Sequence, residues 1–149
     1  MRRFLIVANQ TLDSRLLADR VEALIHAEES TFFVVAPATP LHDQAGYTGA
    51  PSPQDRARAV AQQRLNHSID NIRALGAEAD GEVGDADPFE AVRLALGRFD
   101  ADEVIVSTLP PALSRWLRRD LPDRISRAFH RPVAIVGEAP ASPQESRGP

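Results

Sequence analysis

Residues 103–136 constrain the fold more than any other stretch of this chain. They read as a short apolar run (Glu103-Val-Ile-Val-Ser107), a polar, proline-marked turn over 108–111, an arginine-rich helix, and a second apolar run over 132–136 (Pro-Val-Ala-Ile-Val). Two short apolar runs joined through a helix predict a βαβ crossover in a parallel sheet. In an open parallel sheet, ligands sit beyond the carboxyl ends of the strands, beside helix amino termini. A site, if the chain has one, is therefore expected over residues 107–119.

The rest of the chain repeats the pattern. Residues 4–8 (Phe-Leu-Ile-Val-Ala) form a continuous apolar run, as a strand covered on both faces requires. Leu12, Leu16, Leu17, Val21, Leu24 and Ile25 then recur at helical spacing, and residues 31–36 supply the second central strand. Residues 37–53 carry four Pro and two Gly and read as a long loop, with His42, Asp43 and Tyr47 in it. A long helix is predicted over 54–75, with Ala57, Ala61, Leu65, Ile69, Ile72 and Leu75 inward and Gly76 as its cap. Residues 77–83 alternate in polarity, as a strand at a sheet edge does. Asp87 and Pro88 suit the start of the next helix, whose buried stripe is Val92, Ala95, Leu96 and Phe99. Leu113, Trp116, Leu117, Leu121, Ile125 and Phe129 keep one face apolar after the fourth strand, but Pro122 must break that helix. One short helix to about Arg119 and another from about Pro122 are expected. Residues 1–137 thus read as one α/β domain, and 138–149 as a disordered tail with little to bury.

Composition excludes several classes of function. With no Cys there is no disulfide framework, thiolate metal site or cysteine nucleophile. The four His are scattered over different elements, so no metal is expected. No apolar run approaches the roughly 20 residues of a membrane span, and the amino-terminal run is too short for a signal peptide, so a cytoplasmic protein is expected. A formal charge of −4 gives no general attraction to nucleic acid. All 17 basic residues are Arg; beside so much Ala, Gly and Pro, this reads as a GC-rich genome rather than guanidinium chemistry. Ser114 lacks a Gly-x-Ser-x-Gly elbow, and no Walker or Gly-x-Gly-x-x-Gly loop occurs. Asp85 and Asp87 fit turn and cap chemistry. No catalytic residue, cofactor or enzyme activity is expected.

With the order βαβαβαβαβ complete, the chain resembles the universal stress proteins over residues 2–137. The matching segments are 4–8, 81–88 (Gly-Glu-Val-Gly-Asp-Ala-Asp-Pro, similar to that family's Gly-Asp-Pro turn), 102–106 and 131–136. The resemblance implies a doubly wound five-stranded parallel sheet of order 3-2-1-4-5, helices on both faces, and a homodimer. Many members hold ATP through an Asp after the first strand and a Gly-x-x-Gly, nine residues, Gly-Ser/Thr motif after the fourth. Here Asn9 stands at the Asp position, Thr108-Leu-Pro-Pro-Ala112 replaces the glycine pair, and Arg119-Asp120 falls at the Gly-Ser position. Glycines let backbone N–H groups approach phosphates, whereas two prolines remove two donors. The family's ATP site is therefore not expected to form.

Two functional classes follow. One is a non-catalytic regulatory or stress-response module that pairs through its last strand at Val133 and Ile135, an apolar edge that needs covering. The other is a sensor of a nucleotide or small anion at the carboxyl ends of the first and fourth strands. Its candidate ligands are Asn9, Ser107, Thr108, Arg115 and Arg119, with Arg118, Arg124, Arg127 and Arg131 further along the same stretch.

Overall fold

A computed structural model of the chain describes residues 1–8, 15–38, 53–107 and 120–136. Five strands and four helices alternate in it: β1 (Arg2–Ala8), α1 (Arg15–Ala27), β2 (Ser30–Pro37), α2 (Pro53–Ala74), β3 (Glu78–Gly84), α3 (Pro88–Leu96), β4 (Glu103–Ser107), α4 (Leu121–Phe129) and β5 (Val133–Val136). All neighbouring strands are parallel and lie in the order β3-β2-β1-β4-β5. The doubly wound sheet expected from the sequence is the one observed. No helix among the described residues is long and apolar enough to cross a membrane.

The continuous apolar runs are explained by the two faces they serve. Phe4, Ile6 and Ala8 of β1 join Phe32, Val34 and Ala36 of β2 in a cluster roofed by Leu17 and Val21 of α1 and by Ala57, Ala61, Leu65 and Ile72 of α2. Leu5 and Val7 point the other way, into a cluster with Val104, Val106, Ala91, Val92 and Ala95, closed by Leu121 and Ile125 of α4. Strand side chains alternate between faces, so a strand covered on both sides has no polar position in its middle. Phe4 and Phe32, paired in register, also stack at 5.4 Å.

Punctuation follows the expected chemistry. Gly76 adopts φ +102° just past α2, a left-handed conformation that a side chain disfavours. Asp87 caps α3, accepting a hydrogen bond from the Phe89 amide at 3.3 Å, with Pro88 in the first turn. α4 starts at Leu121 with Pro122 in its first turn, so the second helix begins where the proline requires. The expected helix before it, the 39–52 part of the proline-rich loop and the tail beyond 136 lie outside the described residues.

The inward stripe of α2 differs from the expectation in one detail. It runs Ala57, Ala61, Leu65, Ser68, Ile72, so a serine is fully buried while Ile69 and Leu75 pack at the margin. A 3.6-residue period puts 68 as well as 69 on the inward side, and polarity alone points only to Ile69. α2 also sits very close to the sheet. A Cβ at Gly81 would lie 2.3 Å from the Val34 carbonyl oxygen and 2.7 Å from a Leu65 methyl.

Two stability outcomes are expected. The Ser68 hydroxyl is buried without a hydrogen-bond partner, and such a group costs about 1–3 kcal/mol. Ser68→Ala should raise the midpoint of urea unfolding, and a lower midpoint would show the hydroxyl to be satisfied. Gly81→Val should destabilise by roughly 1–3 kcal/mol or more through overpacking, read from the same unfolding curves.

Candidate functional site

The sheet order reverses direction between β1 and β4, and this switch point is where an open α/β sheet leaves a crevice at its carboxyl edge. Ser107, the last residue of β4, stands there. It pairs in register with Ala8 on one side and Val136 on the other. By strand alternation it shares the face of Ile105, the side covered by α1 and α2, and it is buried. It is one of only three buried polar residues among those described, with Ser30 and Ser68. The Ser30 hydroxyl is spent on the Glu28 carbonyl at 2.8 Å.

Of the candidate ligands named from the sequence, Ser107 alone falls within the described residues. Asn9 and Thr108 follow Ala8 and Ser107 directly in the chain, and with Arg115 and Arg119 they lie outside the described residues, as do Leu109, Pro110 and Trp116. Two strand ends meeting at Ala8 and Ser107 fit the expected location of the site without completing it.

The neighbouring parts of the carboxyl edge are closed by their own hydrogen bonds. The Ala38 amide donates to the Gly84 carbonyl at 3.2 Å, tying the ends of β2 and β3. Asp85 accepts from the Asp87 amide at 2.9 Å and Asp87 in turn caps α3. Both carboxylates are therefore occupied by backbone, the turn and cap roles expected of them. A Cβ at Gly84 would meet the Ala91 Cβ at 2.8 Å, which explains why a glycine precedes this turn: α3 packs against the end of β3.

α4 ends just before the amino end of β5, so it runs toward the amino edge and its first residues face the carboxyl side of the sheet. Its cap and first turn carry two acidic residues and a proline. Asp120 takes a left-handed conformation (φ 55°, ψ 36°) without a side-chain cap bond, Pro122 has no N–H, and Asp123 adds a second carboxylate. Negative charge favoured by a helix amino terminus is already supplied by the protein itself.

Arginines that the sequence lines up along one stretch separate in space. The Arg124 guanidinium lies over the Phe89 ring at 4.5 Å, and Phe89 stacks on Phe129 at 5.4 Å, so this arginine clasps α4 to α3. Arg131 sits at the opposite, amino edge. It donates to the carbonyls of Ala101 (2.7 Å) and Phe129 (2.6 Å) and to the Asp100 carboxylate (2.7 Å). Both are structural. Spacing on a helix could not reveal this, because Arg131 lies past the αL residue His130 that ends α4.

No family model matches the chain, and no curated protein matches it by sequence. Solved structures do match. A universal stress protein family protein from Arabidopsis thaliana with AMP bound is 10% identical, with a TM-score of 0.59 over 97% of this chain and 99% of that one. The universal stress protein from Archaeoglobus fulgidus in complex with dAMP is 15% identical, with a TM-score of 0.54 over 91% of this chain and 98% of that one. A universal stress protein in complex with cAMP is 18% identical, with a TM-score of 0.56 over 91% and 96%. In strand order, connections and extent, this chain has the universal stress protein fold.

Proposed function

We propose that the chain is a divergent universal stress protein: a non-catalytic regulatory module that works as a homodimer and does not hold ATP. The observation that carries this reading is the state of the two regions such a protein would use. At the phosphate side, α4 opens with two carboxylates, Asp120 and Asp123, and with Pro122, which has no N–H. At the sheet edge, β5 is short and apolar, and Ile135 is 43% exposed on it. An apolar edge strand left open invites pairing with another chain. Pairing with a second copy about a two-fold axis satisfies both edges at once.

The case against ATP is one of local chemistry. A triphosphate needs several N–H groups converging at a helix amino terminus, and the prolines at 110 and 111 donate none. A carboxylate about 4 Å from a phosphate costs about 4 kcal/mol at a surface-like dielectric, nearly a thousandfold in affinity. Asp120 is an exposed carboxylate at the corner where the resemblance puts a hydroxyl. Mg-ATP titrated calorimetrically should therefore show no dissociation constant in the low micromolar range. One in that range overturns this part of the reading.

A second reading keeps a ligand at the same place. It is favoured by the nucleoside monophosphates bound to proteins of this fold (AMP, dAMP and cAMP) and by Ser107 at the switch point. A monophosphate needs fewer donors than a triphosphate. If AMP or cAMP raises the melting temperature while Mg-ATP does not, the chain is a sensor, with Asn9, Ser107, Thr108, Arg115 and Arg119 as its candidate contacts. No shift with any of them favours the docking module.

The dimer has its own test. Light scattering should give twice the 16.3 kDa chain mass at micromolar concentration. Ile135→Lys, which puts a charge into the pairing edge, should return it to the monomer mass. A wild-type monomer, or a variant that pairs as before, removes the β5 interface.

A further inference from the structure

The other edge strand of the sheet is β3, with no strand paired outside it among the described residues, and it is finished differently. In a parallel ladder successive residues turn their N–H and C=O groups to opposite sides, so Ala79 and Gly81, two apart, face the same edge. Neither of the groups discussed next is bonded to β2. The Ala79 carbonyl accepts from both Nε (3.1 Å) and Nη2 (2.8 Å) of Arg73, which reaches over from the last turn of α2. The Gly81 amide donates to the carboxylate of Asp80 at 2.9 Å. Side chains of this chain thus occupy the acceptor and the donor that an added strand would need first. Exposed Glu78 and Asp80 put like charge along the same strand. Among the described residues, no side chain is bonded to the backbone of β5 in this way.

We propose that Arg73 and Asp80 guard the edge of β3, so that strand pairing between copies of this chain is confined to β5. The confinement matters for assembly. One open edge gives a closed, two-fold pair, whereas two open edges allow each copy to pair twice and the assembly to grow without limit. The proposal rests on the β5 reading for the identity of the remaining open edge, but the guard itself can fail or hold independently.

The test is Arg73→Ala/Asp80→Ala, followed by light scattering across a concentration series, with circular dichroism to verify the fold. The double variant should grow in mass with concentration to roughly double the wild-type value or beyond, while the wild type stays constant. A folded double variant with the wild-type mass throughout overturns the guard. The wild-type mass itself, monomer or dimer, reports only on β5. Glu78→Ala removes an exposed acid from the same strand without touching the backbone bond; if it grows equally, the effect is charge alone and the guard is refuted. Amide exchange supplies an arm that needs no double variant. The Gly81 amide should exchange about tenfold faster in Asp80→Ala than in the wild type, the factor expected for one lost hydrogen bond. Unchanged exchange there also overturns the proposal.

Discussion

Burial of β1 from both sides is the constraint on which the rest of this structure depends. Phe4, Leu5, Ile6, Val7 and Ala8 are all essentially inaccessible to solvent, and they divide alternately between two separate clusters. No position along the middle of that strand can be polar without burying an unsatisfied group. β4 repeats the arrangement, Ile105 facing one cluster and Val104 and Val106 the other. Function is thereby expelled to the strand ends, where backbone coverage stops and polar groups can meet solvent or ligand. Ser107, the last residue of β4, is the first polar side chain past Glu103 along that strand.

The two ends of the sheet divide the labour. At the amino edge, Arg3 and Asp102 bond reciprocally: the Arg3 amide donates to the Asp102 carboxylate at 2.9 Å and the Asp102 amide to the Arg3 carbonyl at 2.7 Å. Arg2 reaches Glu103 at 3.1 Å and Arg131 fastens the start of β5 to the end of the α3–β4 turn. The ion pairs are partly exposed, and each contributes little alone. Their value is positional, since the bonds to backbone carbonyls fix β5 against β4 from below.

How much of this could be read in the sequence depended on which physical rule was in force. Two-sided burial writes itself as uninterrupted apolar runs, so the strands at 4–8, 31–36 and 103–107 were legible almost to the residue. Local backbone chemistry was equally legible at Gly76, Asp87 and Pro122, because each acts within a few residues of itself. Tertiary partners were not. Nothing in the spacing of Arg124 and Arg131 distinguishes a ring-stacked clasp and an amino-edge tie from a ligand-gripping row, since Phe89 and Ala101 are distant in sequence. Ser68 was missed for a related reason: a helix stripe tolerates one small polar residue where the sheet comes close. At the candidate site only Ser107 joins sequence to structure. The register Ala8 to Ser107 that locates it is a property of strand pairing, which no single strand discloses.

Asp120 shows how packing can hold a turn in a conformation that its own side chain does not cap. Positive φ is uncommon for a residue with a side chain, and Asp is among the few that tolerate it. Asp120 adopts φ 55° and ψ 36° at the start of α4, and it does so without a side-chain cap bond. Leu121 and Ile125 pack beneath this corner, and the Arg124 amide donates to the Asp120 carbonyl at 2.8 Å. Burial of those two side chains against the sheet, rather than a capping bond from Asp120, is what holds the turn in place.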